Sequence, residues 1–113
     1  MHIRIIIKLI QMAFKVVFLA HAPDADSDKH RSVIDTGKYK IYSVVVKNQT
    51  QAVKECRKLV EEEGIHSILL CPGFTHGNIA EIVEAVRNKA GVFVARGDGP
   101  SSRITALVRR REL

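Results

Sequence analysis

Gln49–Cys71 reads QTQAVKECRKLVEEEGIHSILLC, and the change of period inside this stretch decides the fold. Ala52, Val53, Cys56, Leu59 and Val60 recur at helical spacing, while Lys54, Glu55, Lys58, Glu61 and Glu62 are mostly turned outward. The spacing predicts a one-sided helix over 49–63. Gly64 supplies a stop that tolerates a left-handed backbone. Beyond it, His66–Cys71 is a short apolar run without polar alternation, the pattern of a strand buried on both faces of a parallel sheet. A helix feeding such a strand is half of a βαβ unit.

The same rhythm continues outward in both directions. Phe14–Ala20 (FKVVFLA) is the expected first strand and Ile41–Lys47 (IYSVVVK) the second. Between them, Ser27 reads as the cap of a short helix from about Asp28 to Asp35, stopped by Gly37. On the C-terminal side, Asn78 with Glu81 three residues later reads as a capping box, opening a helix whose buried stripe is Ile79, Ile82, Val83 and Val86 and which Gly91 ends. Val92–Ala95 is the fourth strand. Pro100–Arg110 is a last helix with Ile104, Leu107 and Val108 on one side. Strands separated by helices pair in parallel through right-handed crossovers. The expected fold is therefore α/β: a small three-layer sandwich with a mainly parallel, four-stranded sheet and a flavodoxin-like, half-Rossmann order of elements. So narrow a sheet, with apolar strands and two edges, is expected to be covered by another copy in a homo-oligomer.

The chain of 113 residues fits one domain. With 46% hydrophobic and 27% charged residues it is neither disordered nor fibrous. Met12 reads as the natural start, with 12–113 the single domain and 1–11 an extension of no inferred role. Met1–Ala22 has the outline of a signal peptide, but Lys8, Gln11 and Lys15 interrupt its apolar stretch and Pro23 would follow the cleavage point. The same interruptions argue against a membrane span of ~20 apolar residues. Cys56 and Cys71 form no Cys-x-x-Cys or zinc spacing and no disulfide scaffold, so a reducing cytoplasm is expected.

The net charge is +6. Arg4 and Lys8 contribute +2 within 1–11, Arg103, Arg109, Arg110 and Arg111 against Glu112 contribute +3 within 103–113, and +1 is left for 12–102. A nearly neutral body with four Phe and two Tyr offers no broad phosphate-tracking or base-stacking face, which argues against nucleic acid as a partner. The terminal arginines read as a solvated helix end that complements the carbonyl end of the dipole.

In open α/β sheets ligands bind beyond the carboxyl ends of the strands. There the sequence gathers His21, Asp24 and Asp26 after the first strand, CPGFTHGN (71–78) after the third and ARGDGPSS (95–102) after the fourth. The two later loops lead into helix amino termini rich in glycine, which favours a small anion such as phosphate or carboxylate. The expected ligand-binding residues are Gly73, Thr75, Gly77, Arg96, Gly97, Asp98 and Ser101. Arg96 serves as clamp with Arg103 as its understudy, and Asp98 or Ser101 as helix cap. Cys71, at a strand end beside a helix start, is the candidate nucleophile, with His76 and His21 as candidate catalytic partners. Neither a dinucleotide nor a P-loop signature is present. His21 and His76 with Asp24, Asp26 or Asp98 show no spacing that demands a metal, Asp24, Asp26 and Asp28 lack the rest of a calcium loop, and no cofactor is read. His66 and His30 read as structural, and Arg96-Gly97-Asp98 as a chance tripeptide.

FKVVFLAHAPDAD, KHRSVIDT, LVEEEGI, and ILLCPGF leading into AEIVEAV together make Phe14–Val94 resemble a family of small prokaryotic α/β proteins of unknown function. The resemblance implies a compact domain beginning near Met12 and carries no catalytic residues. Two readings stay open at this point. One is a protein binding a small anion at the carboxyl edge, with catalysis at Cys71 as an extension. The other is a non-catalytic oligomeric protein of structural or regulatory interaction, whose polar loops only cap helices.

Overall fold

A computed structural model describes residues 13–113; the extension 1–11 and Met12 lie outside the described residues. Its elements are β1 (Phe14–His21), β2 (Arg31–Asp35), β3 (Tyr39–Val46), α1 (Gln49–Lys58), a π-helical turn (Leu59–Glu63), β4 (Ser67–Leu70), α2 (His76–Ala85), β5 (Gly91–Val94) and α3 (Gly99–Glu112). The sheet has five strands in the order β2-β3-β1-β4-β5. β3, β1, β4 and β5 run parallel, and β2 pairs antiparallel with β3.

The fold is α/β, but the sheet is mixed, with five strands instead of the four of the mainly parallel sheet expected. The extra strand lies where a helix over 28–35 was expected. Ser27 caps no helix there. Instead Asp26 organises a single turn, its carbonyl accepting from the amides of Lys29 and His30 and its own amide donating to His30 Nδ1 at 2.9 Å. The β-branched pair Val33 and Ile34 then pairs with Tyr42 and Ile41. A tight turn returns the chain: the Thr36 amide donates to the Tyr39 carbonyl, the Gly37 amide donates to Asp35 Oδ1, and Gly37 takes φ 97°. That left-handed backbone is the reason for glycine there.

α1 begins where expected. Asn48 caps it, its side chain accepting from the Gln51 amide at 2.9 Å. It runs into the π-helical turn before Gly64 stops it at φ 68°. α2 begins two residues earlier than expected, because Thr75 rather than Asn78 is its cap: Thr75 Oγ1 accepts from the Asn78 amide at 3.1 Å. Glu81 makes no capping box and accepts from Gln49 Nε2 at 2.8 Å, tying α2 to α1. α2 stops at Ala85 rather than at Gly91, which opens β5, and the turn between passes through Asn88 at φ 66°.

The connections from β3 through α1 to β4 and from β4 through α2 to β5 advance in the same direction, so right-handed crossovers put both helices on one face. Val17, Leu19, Val44, Val46, Ile68 and Leu70 are buried beneath them with Ala52, Cys56, Leu59, Ile82 and Val86. Val83, expected in this core, is exposed. Arg31 and Glu55 join the antiparallel edge strand to α1 through a 2.8 Å ion pair. α3 adds no comparable layer. Every residue of it is exposed, and Ile104, Leu107 and Val108 stand 45–68% exposed instead of packing as expected. No described helix is long and apolar enough to cross a membrane.

Candidate functional site

The chain leaves β1 toward β3 on one side and later crosses back to place β4 on the other, so the strand order reverses between β1 and β4. The loops leaving β1 and β4 part at such a point, beyond the carboxyl ends of the strands, where ligands of open α/β sheets bind. His21 is the last residue of β1, and Cys71 follows the last residue of β4 with its amide donating to the Leu19 carbonyl at 3.0 Å. β5 adds the third wall, the Ala95 amide donating to the Leu70 carbonyl at 2.8 Å before the chain enters Arg96-Gly97-Asp98.

A cavity of about 460 Å³ lies here, lined by His21, Cys71, Pro72, Gly73, Arg96, Gly97, Asp98, Ser101, Ser102, Thr105, Ala106, Arg109 and Leu113. Two glycines let its walls approach. A methyl on Gly73 would sit 3.2 Å from His21 Cε1 and 3.6 Å from Cys71 Sγ, and one on Gly97 would sit 3.3 Å from Ser102 Oγ and 3.4 Å from Pro72 Cβ. The His21 ring lies 4.6 Å from that of the buried Phe74, which fixes its place at the rim.

The charges are unevenly placed. Arg96 Nη2 donates to Asp98 Oδ1 at 2.9 Å, both side chains being well exposed. Asp98 occupies the cap position of α3 without making a side-chain cap, and Ser101 does not replace it. Arg109, nearly three turns along α3, is a second arginine lining the same cavity. Exposed pairs of the Arg96–Asp98 kind are weak and exchange readily with another anion.

Of the residues singled out from the sequence, the structure brings His21, Cys71, Gly73, Arg96, Gly97, Asp98 and Ser101 to this cavity. Thr75, His76 and Gly77 do not line it: Thr75 caps α2, and His76 and Gly77 form its exposed first turn. Sequence reasoning missed Pro72 and, along α3 and at its end, Ser102, Thr105, Ala106, Arg109 and Leu113. The signal of the latter group was a stripe of small and polar residues at intervals of three and four along α3, opposite Ile104, Leu107 and Val108. Cys56 stays out of the chemistry: it is fully buried, and desolvation, with the Glu55 charge second, pushes its thiol up to about 12. His66 is structural, its Nδ1 accepting from the Lys15 amide at 3.0 Å. Among the described residues no group of three or more His, Cys, Asp or Glu is placed to hold a metal ion.

A family model described as a family of unknown function, DUF6506, matches residues 14–108. The chain belongs to DUF6506. The match takes in every strand and the cavity-lining residues up to Ala106, so the cavity of this DUF6506 member is built almost wholly from family sequence. Neither the curated proteins nor the solved structures gave a match.

Proposed function

We propose that the protein binds a small phosphate- or carboxylate-bearing molecule in the cavity at the carboxyl edge of its sheet. The observation that carries this reading is that two arginines, Arg96 and Arg109, and two serines, Ser101 and Ser102, line one cavity at the point where the strand order reverses. The order β3-β1-β4-β5 of the four parallel strands supports a flavodoxin-like reading, in which ligands sit where the strand order reverses. The cavity volume falls within the ~300–1,000 Å³ of small-molecule sites. The first turn of α3 adds the unpaired amides of Gly99 and Ser101, whose dipole end favours negative charge. An arriving anion takes Arg96 from Asp98. Cys71, on the cavity wall beside His21, is the group that a catalytic extension of this reading would use.

Thermal unfolding against inorganic phosphate, nucleotides, sugar phosphates and small carboxylates tests the proposal. A ligand at a hundred times its Kd stabilises by ~2.7 kcal/mol, a shift of several degrees. The expected result is a shift with at least one of these compounds, lost in Arg96→Ala and Arg109→Ala and kept in Lys54→Ala, a residue of α1 that does not line this cavity. A flat response to the whole panel, or a shift indifferent to both arginines, rejects the cavity as an anion site.

A further inference from the structure

The sheet has two faces and the described chain covers one. α1 and α2 pack on the side of Val17, Val44 and Ile68, whereas no described helix packs on the side of Phe18, Ile34, Ile41, Leu69 and Phe93. Parallel strands are ordinarily covered on both sides, and a sheet face left to water normally carries polar side chains at alternate positions. This face does not. By strand alternation and register, the charged side chains within the strands, Lys15, Arg31, Asp35 and Lys40, all fall on the helix side. The open face holds only apolar side chains, Tyr39, serines and a glycine, and at its two edges Ile34 and Phe93 are 61% and 58% exposed.

We propose that this face is the interface with a second copy of the same chain, the two sheets packing face to face about a twofold axis. A surface without charge meets itself under a twofold rotation with no like-charge repulsion, the condition an isologous contact has to satisfy. The same absence of charge gives nucleic acid, an acidic peptide or an anionic bilayer nothing to hold. Its size is also of the order that such a contact needs. Strands ~4.8 Å apart that rise ~3.3 Å per residue give the face a flat footprint of roughly 450 Å². Interdigitating side chains bury more than their flat footprint, which brings the contact toward the ~800 Å² per partner of a standard stable interface.

Light scattering on the full chain, with a concentration series, reads the outcome. The expected mass is twice 12.6 kDa. Ile34→Glu is expected to weaken the dimer by roughly a hundredfold, since each subunit would bury an unpaired carboxylate, with the circular dichroism spectrum unchanged. Val33→Glu, one residue away on the same strand but on the helix side and 50% exposed, is expected to stay dimeric. Phe93→Glu, on the opposite edge strand, repeats the test should Ile34→Glu misfold. A wild-type monomer up to about 100 μM overturns the proposal and leaves the face to residues 1–12 or to a different protein. A dimer that survives both open-face substitutions, or one that Val33→Glu also dissociates, overturns it by placing the interface elsewhere.

Discussion

Arg31 Nη1 donates to Glu55 Oε1 at 2.8 Å, and the Glu55 side chain is only 6% exposed. This contact fastens the antiparallel strand β2 to α1, and among the described residues it is the one ion pair between the edge hairpin and the helical layer. Arg31→Met leaves the Glu55 carboxylate buried without its partner. We expect a loss of about 2 kcal/mol, moderated because Arg31 is itself partly exposed. Urea unfolding is the measurement, and the Arg31→Met, Glu55→Gln double variant is expected to regain part of the loss.

The two thiols differ in access. Cys71 lies at the cavity and Cys56 is fully buried. Iodoacetamide at pH 8 is expected to add one label to the native protein, on Cys71, and two after denaturation, as read by mass spectrometry. The raised Cys56 thiol also has a linkage consequence. Its pKa lies at about 12 when folded against 9.0 ordinarily, so the unfolded chain releases that proton first as pH rises. The contribution of Cys56 is intact below about pH 9 and declines toward pH 12. Cys56→Ala is expected to lower stability at neutral pH and to flatten the alkaline decline in unfolding midpoints.

Gly73 separates His21 from Cys71 within the cavity wall. A methyl there meets His21 Cε1 at 3.2 Å. Gly73→Ala is expected to shift the unfolding temperature little, since the residue is exposed, while weakening any cavity ligand by at least about tenfold through lost close approach. Calorimetric titration with the ligand found in the thermal panel decides this.

Asp98 competes with the proposed anion for Arg96. Asp98→Asn removes one negative charge about a hydrogen bond away from the guanidinium, and we expect affinity to rise about fivefold at low salt. The same titration shows the sign, and an unchanged or weaker affinity contradicts the exchange of partners at Arg96.

α3 buries none of its residues. Isolated helices of its length are marginal in water, so its amides are expected to exchange with deuterium faster than those of α1 and α2 in exchange mass spectrometry. A cavity ligand bridging its first turn is expected to slow that exchange.

The sequence was most legible where one period ran unbroken. α1, with its apolar face and Gly64, and the strands at Phe18, Val44 and Leu69 could be located because burial and local preference agree there. β2 was lost because Ser27, Asp28 and Gly37 imitate helix punctuation, while the decisive fact, pairing of Val33 and Ile34 with β3, is tertiary. The start of α2 was misplaced for a related reason: Thr75 and Asn78 both satisfy the chemistry of a cap, and only the path of the preceding turn selects Thr75. Within the cavity, the loop residues followed from the rule about strand ends. Arg109 did not, because its approach depends on the direction in which α3 leaves β5, which no local pattern encodes.

Leu113 stands on the cavity wall with Arg109 one helical turn before it. Whatever is joined to the chain beyond Leu113, whether label, dye or affinity handle, therefore begins at the rim of the cavity. That makes the position after Leu113 a poor place for a purification tag in binding work and a good place for a fluorophore meant to report an arriving ligand.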